Sequence, residues 1–406
     1  MSGLFGNRPK LPRPVWLVSW TSFFTDTASE TVYPLMPVYL TRVLGGTALS
    51  IGIIEGAAEA LSSLLKIVSG RIADRWGTRK PLVIAGYTVS SLARPLVALA
   101  GSWTHVLLVR LADRVGKGVR SAPRDALIAS WVDPSIRGYA FGLNRSMDHA
   151  GAVVGPVLAT VFLWFYPGEY RWLFALTLIP GLIAVAMLLP VPDAPMRAEP
   201  AGKPSPSGEA RTGPPPNAPP VPLGGVFHRY MGVLVLFSLG NSTDAFLLLR
   251  LNDAGVAATW LPMVWAALHV VKAAASPIGG HWSDRISRKA IITSGWVIYA
   301  AVYAAFAWVT SLPGLLTAFL IYGLYYGLTE GVEKAVVADL APASSRGYAF
   351  GIYNAVIGIG ALFASLLFGA IWKLAGAPAA FVTGAAIALV SSLLLAIVPL
   401  PRRQSA

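Results

Sequence analysis

The stretch GRIADRWGTRK at residues 70–80 is matched by GHWSDRISRK at residues 280–289, an offset of 210 positions. A second match, RGYAFG at Arg137–Gly142 and again at Arg346–Gly351, has an offset of 209. Most of the matched residues are polar, so the apolar composition of the chain does not account for them. Two independent matches at nearly one offset indicate an internal duplication, and a repeat constrains the fold before any single element does.

Composition assigns the chain to the membrane class. Hydrophobic residues make up 55% of the 406 residues and charged residues only 13%, against about 25% in soluble domains. A soluble fold of this length cannot cover its surface with so few charges. The absence of cysteine excludes a disulfide scaffold, thiolate catalysis and cysteine-based metal sites. The excess of 32 Lys and Arg over 19 Asp and Glu is typical of basic loops between membrane spans, because no polar domain exists that could bind nucleic acid.

Twelve segments are long and apolar enough to cross a hydrocarbon core of about 30 Å. They are 15–40, 49–69, 81–101, 104–130, 139–164, 172–190, 228–250, 256–279, 290–312, 314–340, 347–373 and 378–398. The proline-rich stretch between the sixth and seventh spans cannot bury a core. We therefore expect an all-α integral membrane protein with twelve transmembrane helices in two pseudo-symmetric six-helix halves, residues 1–190 and 228–406, joined by a linker at 191–227.

Loop charge predicts the orientation in the membrane. Basic residues concentrate at both chain ends and after the second and eighth spans, whereas the loops at 101–105 and 311–314 hold neither Lys nor Arg. The positive-inside rule then places both termini and the linker in the cytoplasm of a bacterial-type inner (plasma) membrane. Asp26 and Glu30 interrupt the first span, so we expect this span to be retained and not cleaved as a signal peptide.

The loop after the second span carries the most specific motif. Its residues fit G-x-x-x-D-R-x-G-x-R-K, and the second copy keeps most of them but is one residue shorter and has Ser287 where a glycine would fall. On these two copies the chain resembles the major facilitator superfamily of transporters over essentially its whole length. The resemblance implies a twelve-span carrier that works by alternating access between its two halves.

These loops are predicted to form a latch between the halves. A glycine permits close helix approach, and an aspartate can face a helix N-terminus or a cation on a neighbouring helix. We expect the two loop aspartates to pair with Arg124 and Lys334, and a purely topogenic role of the loop is the alternative. The predicted latch residues are Gly70, Asp74, Arg75, Gly77, Arg79, Lys80, Arg124, Asp125, Asp284, Arg285, Glu333 and Lys334.

Span five carries the pattern G-x-x-x-G-P. Gly151, Gly155 and Pro156 match the core of the antiporter motif of the family, while Ala159 and Thr160 stand where two glycines would end it. The resemblance implies export of a substrate in exchange for protons. The alternative is a close-packed helix face with a kink, which is compatible with any direction of transport.

The ionisable residues inside the spans are too many to face lipid. On span four the charged residues from Arg110 to Arg124 lie within an arc of about 120°, and apolar residues fill the remainder. Four acids of spans one and two form i,i+4 pairs, in which two close carboxylates favour the binding of a proton. The candidate proton-coupling residues are Asp26, Glu30, Glu55, Glu59, Arg110 and Asp113. The alternative is that these acids pair with nearby Arg and Lys and only hold the first half together.

The basic stripe of span four also predicts the charge of the substrate. A guanidinium can hold a carboxylate or phosphate bidentately, and acid in one half facing base in the other suits a polar or zwitterionic ligand. Purely structural pairing of Lys272 with Asp244 is the alternative in the second half. The candidate substrate-binding residues are Arg94, Arg114, Lys117, Arg145, Asp148, Asn241, Asp244, His269, Lys272 and Glu330.

Catalytic and cofactor motifs are missing from the sequence. The five histidines have no metal-ligand spacing, and no phosphate-binding glycine loop occurs. We therefore expect a monomeric transporter of small molecules and protons in the lipid bilayer, with no metal, cofactor, enzymatic activity or nucleic-acid partner. Proton-coupled efflux of an anionic, zwitterionic or amphiphilic solute is the leading hypothesis. An importer or exchanger of an anionic metabolite is the alternative, and a polytopic membrane enzyme acting on lipid is less favoured.

Overall fold

The computed structural model describes residues 10–36, 39–45, 48–193, 221–256 and 260–400, which contain helices and no strand. The first half comprises α1 (Arg13–Val32), α2 (Ala48–Trp76), α3 (Lys80–Ala93, continued by a 3-10 helix at Arg94–Leu99), α4 (Trp103–Trp131), α5 (Arg137–Phe165) and α6 (Tyr170–Leu176 and Leu178–Leu188). The second half comprises α7 (Gly225–Gly240 and Ala245–Asp253), α8 (Leu261–Ser283), α9 (Arg288–Trp308) and α10 (Leu312–Leu340). The run Arg346–Ile397 is broken at Gly376 and supplies α11 and α12.

The predicted all-α fold of twelve spans in two related halves is confirmed. Most of the predicted linker, residues 194–220, lies outside the described residues, as do the predicted chain ends at 1–9 and 401–406. The boundaries of the linker therefore stay a prediction.

Seven helical stretches are long and apolar enough to cross a membrane on their own, among the described residues. They are Lys80–Leu99, Pro134–Phe165, Tyr170–Leu188, Arg288–Trp308, Leu312–Leu340, Ala343–Trp372 and Leu374–Ile397. The helices α2 and α4 are long enough but carry charged residues along their length. Such helices are stable in a bilayer only where the charges face the interior of the bundle.

Local sequence signals explain where several helices begin and end. Ser102 caps α4 by accepting the amide N–H of His105 at 3.4 Å. Proline lies in the first turn of α1, α3, α8 and α10, where its missing N–H costs nothing. Gly376 adopts a positive φ of 86° and separates α11 from α12, a conformation that glycine adopts without strain.

The two halves are in close contact at one end of the bundle. We call this end the basic face and define it by the loops at 77–79, 132–136, 284–287 and 341–345. Glycine makes the approach possible, since a Cβ atom at Gly331 of α10 would lie 2.8 Å from the amide nitrogen of Gly142 in α5. These contacts between the halves close the basic face.

Candidate functional site

Asp113 of α4 is the centre of a buried charge cluster in the first half. Its Oδ1 accepts a hydrogen bond from Nη2 of Arg94 at 3.0 Å, and its Oδ2 lies 3.8 Å from Nη1 of Arg110 and 4.0 Å from Nη1 of Arg114. Nη1 of Arg94 also donates to the carbonyl oxygen of Thr25. Asp113 thus bonds Arg94 of α3 and lies close to two arginines of its own helix. Both terminal nitrogens of Arg94 therefore donate hydrogen bonds to groups of the protein.

Three part-exposed ionisable side chains in the same half have no ion-pair or hydrogen-bond partner within the described residues: Asp26 and Glu30 of α1 and Lys117 of α4. Asp26 interacts electrostatically with Asp148, Glu30 and Lys117, and Glu30 interacts most with Lys117. Unpaired groups of opposite charge that face each other at the middle of a bundle are available to a ligand or a proton.

The remaining predicted coupling residues lie on α2. Glu59 lies 3.9 Å from Nζ of Lys66, measured from its Oε1, in a half-exposed ion pair of modest energy. Glu55 lies within the same helix, but its side chain lies outside the part of the chain that the structure describes. Its predicted coupling role is therefore untested.

In the second half, Asp244 lies at the break between the two parts of α7. It accepts hydrogen bonds from the hydroxyls of Tyr322 at 2.8 Å and Tyr326 at 3.0 Å, and its Oδ2 lies 3.5 Å from Nζ of Lys272. That ammonium lies 3.4 Å from the ring centroid of Tyr326 and 5.3 Å from that of Trp265, a cation–π arrangement. Lys272 and Asp244 thus form an ion pair, and both stay predicted substrate-binding residues.

A polar contact joins the halves near mid-bundle. Nε2 of His149 on α5 lies 3.0 Å from Oε2 of Glu330 on α10. The ring of His269 lies 5.3 Å from that of His149, and neither of its nitrogens has a hydrogen-bond partner among the described residues. On α5, Arg145 donates to Asp148 at 2.9 Å. The sequence analysis missed His149, although its position four residues after Arg145 predicts the same helix face.

At the basic face each loop aspartate caps a helix of the other half. Asp74 accepts the backbone N–H groups of Gly347 at 3.0 Å and Tyr348 at 2.7 Å, at the start of α11. Asp284 accepts those of Gly138 at 3.0 Å and Tyr139 at 2.8 Å, at the start of α5. The predicted pairing of these aspartates with Arg124 and Lys334 is wrong. The unpaired N–H groups and the positive dipole end of a helix N-terminus bind the carboxylates instead.

Two buried arginines reinforce these caps. Arg79, 2% exposed, donates to Asp74, to Ser130 and to the carbonyl oxygen of Ala343 in the other half. Arg288 occupies the equivalent place and contacts Asp284 at 3.3 Å. Arg288 also contacts Asp339, which binds Arg137 of the first half.

The other predicted latch residues at this face differ in their surroundings. Lys80 donates to the carbonyl oxygen of Leu189, and Gly77 forms its turn with a φ of 67°. Arg75 and Arg285 are exposed. Gly70 packs against the backbone of Gly347.

One buried ion pair lies at equivalent positions of the two halves. Asp125 of α4 is fully buried and contacts Lys334 of α10, which is 209 residues away. Arg124 also donates to Asp125, at 3.1 Å. Glu333, predicted as a latch residue, bonds only to groups of its own half, because it accepts from Nε1 of Trp296 and from the hydroxyl of Tyr353. Asp125 and Lys334 therefore link the halves, whereas within the described part of the chain Arg124 and Glu333 contact groups of their own half.

The G-x-x-x-G-P motif packs α5 against α1. A Cβ atom at Gly155 would lie 2.6 Å from the carbonyl oxygen of Thr27, and Oγ1 of Thr31 donates to the carbonyl oxygen of Gly155. Gly151 faces the backbone at Phe23, one turn earlier. Pro156 lies inside the continuous helix. The motif thus makes a close-packed face against the helix that carries Asp26 and Glu30.

A bundle of twelve helices in two related halves, closed at one face and lined at mid-bundle with charged side chains, defines a secondary transporter. The Major Facilitator Superfamily model matches residues 18–268 and 252–406, and the chain belongs to that family. Members of this family are carriers without enzymatic activity, so the protein is a multi-pass membrane transporter of small molecules and not an enzyme.

Similar proteins are known from several sources. The chain is 32% identical over 395 residues, 96% of each protein, to an uncharacterised MFS-type transporter of Methanocaldococcus jannaschii. It is 24% identical over 337 residues, 81% of this chain and 79% of the relative, to the multidrug resistance protein MdtH of Escherichia coli O1:K1 / APEC. The human organic anion transporter MFSD10 (TETRAN) superposes with a TM-score of 0.75 at 19% identity, over 96% of this chain and 100% of that chain.

Proposed function

We propose that the protein exports a small organic solute with an acidic group in exchange for protons. The observation that carries the proposal is the arrangement of Asp26, Glu30 and Lys117, which interact electrostatically and have no ion-pair or hydrogen-bond partner among the described residues. The acidic group of the solute binds Lys117. The carboxylates of α1 bind either protons or a cationic group of the solute.

Exchange requires that the solute and the proton exclude each other. A zwitterion meets this condition, because its ammonium group occupies the carboxylates of Asp26 and Glu30 while its acidic group binds Lys117. A proton on either carboxylate then removes one attachment point of the solute. Proton entry from outside therefore favours release of the solute, and alternating access turns this competition into export.

Loop charge and the relatives support the direction. The positive-inside rule makes the basic face cytoplasmic, so the closed basic face corresponds to a carrier that is closed to the cytoplasm. MdtH is named for multidrug resistance, which favours export. MFSD10 is described as an organic anion transporter, which favours an acidic solute. We extend both points to this chain as part of the proposal.

Neutralising the two carboxylates should abolish coupling. In liposomes, Asp26→Asn and Glu30→Gln should lose transport driven by a pH gradient, because no group is left at that position that binds and releases a proton. Glu169→Gln is the matched control, since Glu169 is exposed in the loop after α5. The measurement is proton movement on addition of solute, across a panel of anions, zwitterions and cations. Full pH-dependent transport in both variants would reject these two residues as the coupling site.

Removing the unpaired ammonium should weaken binding of the acidic group. Lys117→Gln should lower the affinity for a carboxylate-bearing solute by about ten- to a hundredfold, the worth of a charge-assisted hydrogen bond of about 1.5–3 kcal/mol. Lys289→Gln is the control at the basic face, where Lys289 binds the carbonyl oxygen of Ala396. Isothermal titration in detergent measures both. If only lipophilic cations bind, and bind equally to both variants, the acidic-solute assignment is wrong.

Import of an anion together with protons is the second candidate. It is favoured by the same cluster, because a proton on Asp26 or Glu30 removes a negative charge close to Lys117 and so strengthens binding of a purely anionic ligand. The pH dependence of affinity separates the two functions. Affinity that rises with pH indicates exchange for protons, and affinity that falls with pH indicates co-transport with them.

A further inference from the structure

Glu333 on α10 is a buried acid that the proposed transport site does not use. Its side chain is 4% exposed, and each carboxyl oxygen accepts one hydrogen bond. Nε1 of Trp296 on α9 lies 3.2 Å from Oε1, and the hydroxyl of Tyr353 on α11 lies 3.1 Å from Oε2. Both donors are neutral, and both belong to the second half of the protein.

The surroundings of Glu333 supply no positive charge to its carboxyl group. Within the described residues no Lys, Arg or His lies at ion-pair distance from it, and the charged group that acts on it most is Glu330, one turn earlier on the same helix. Tyr230 of α7 also faces it, with a hydroxyl that has no hydrogen-bond partner in the described part of the chain. The two hydrogen bonds that Glu333 accepts partly stabilise a carboxylate, but burial without a counter-charge disfavours it more, so these surroundings favour the neutral acid.

The nearest cations bind other groups while the basic face is closed. Lys334, the next residue, contacts Asp125 across the halves, and Arg145 of α5 donates to Asp148. When the basic face opens, the contact between Asp125 and Lys334 must break, because these residues belong to different halves. Water and the released ammonium of Lys334 then become available beside Glu333, and both favour the ionised form.

We propose that Glu333 is a second proton-binding site, which holds a proton while the basic face is closed and releases it when that face opens. The step is an acid dissociation only: the O–H bond of the carboxyl group breaks and the proton passes to water on the cytoplasmic side. The proposal rests on the proposed function, since it adds a proton carrier to a proton-coupled transporter. It places that carrier in the second half, away from Asp26 and Glu30.

Infrared spectroscopy of the purified full-length protein tests the proposal without any transport assay. The spectrum near neutral pH should contain a carboxylic-acid C=O band that disappears in Glu333→Gln and persists in the control Glu169→Gln. Tyr353→Phe keeps the acid but removes one hydrogen bond to it, so the same band should shift in frequency. This second variant keeps the test valid if Glu333→Gln does not fold.

A second measurement tests whether Glu333 loses its proton when the basic face opens. Asp74→Asn removes a cap that closes the basic face, and the Glu333 band should lose intensity in that variant. No carboxylic-acid band assignable to Glu333, or a band of the same intensity in Asp74→Asn molecules shown to be open, overturns the proposal. Failure of coupling through Asp26 and Glu30 would appear only in the transport assay and would leave the Glu333 band in place, so the two failures are distinguishable.

Discussion

Asp125→Asn should shift most molecules to a state that is open at the basic face. Asp125 is fully buried and is the ion-pair partner of Lys334, whose side chain is 3% exposed. Removing one member of a buried pair leaves the other charge uncompensated, at a cost of about 3–5 kcal/mol. That cost applies only while the face is closed, because opening hydrates Lys334. The ratio of closed to open molecules should therefore fall by about two to four orders of magnitude.

Spin-label distances between the ends of α6 and α12 measure this shift. The chain has no cysteine, so cysteines introduced at Leu189 and Ile397, both exposed, are the only labelling sites. The distance between them should lengthen in Asp125→Asn. Adding Lys334→Met should restore much of the closed population, because the unpaired charge is removed as well. An unchanged distance distribution in Asp125→Asn would show that this ion pair does not hold the basic face closed.

Much of the fold was predictable because the sequence contains repeated apolar segments and an internal duplication. Apolar segments of membrane length gave the twelve spans, and the polar matches at offsets of 209 and 210 gave the two halves. The two repeated motifs, the loop with its aspartate and the RGYAFG segment, contact each other across the halves. Each loop aspartate caps the helix that begins with RGYAFG in the opposite half, as Asp74 does at Gly347. An offset relates equivalent positions, but it does not state which of them touch.

Ion-pair partners were the part of the site that the sequence could not supply. Comparison of equivalent positions in the two halves predicted Arg124 and Lys334 as partners of the loop aspartates, because only the charges of the residues were compared. A helix N-terminus presents a positive end without any basic residue, so a composition-based search for counter-ions overlooks it. The same limitation hid the surroundings of Glu333, since its indole and phenol donors come from helices distant in sequence.

Positions within a single helix were predicted more accurately than contacts between helices, because residue spacing along a helix determines which side chains share a face. The charged residues of α4 do share one face, and Asp113 contacts Arg110 three residues earlier. The partner of Asp113 on another helix, Arg94, was assigned to the substrate instead of to this ion pair. Distances along a helix follow from its pitch, whereas contacts between helices depend on how the helices pack.

Asp74→Asn and Asp284→Asn should both open the basic face, and Asp74→Asn should do so more strongly. Each aspartate accepts two backbone N–H groups, and asparagine keeps one acceptor oxygen but loses the charge and the second acceptor. Loss of a charge-assisted cap of this kind costs about 1–3 kcal/mol, or about a 5–150-fold change in the population ratio. The difference between the two variants arises from the arginines beside them. The guanidinium of Arg79 contacts no carboxylate other than Asp74 in the described residues, whereas that of Arg288 keeps Asp339.

Additivity of the two caps provides the sharper test. The caps lie at different helix ends, α11 for Asp74 and α5 for Asp284. Their free-energy effects on the closed state should therefore add in the double variant. The same spin-label pair at Leu189 and Ile397 measures all three proteins, with Glu169→Gln as the charge-matched control. Equal effects of the two single variants would refute the role given to Arg79. A double variant no more open than Asp74→Asn alone would show that closure depends on one cap, and that the second copy of the loop motif is retained only for topology.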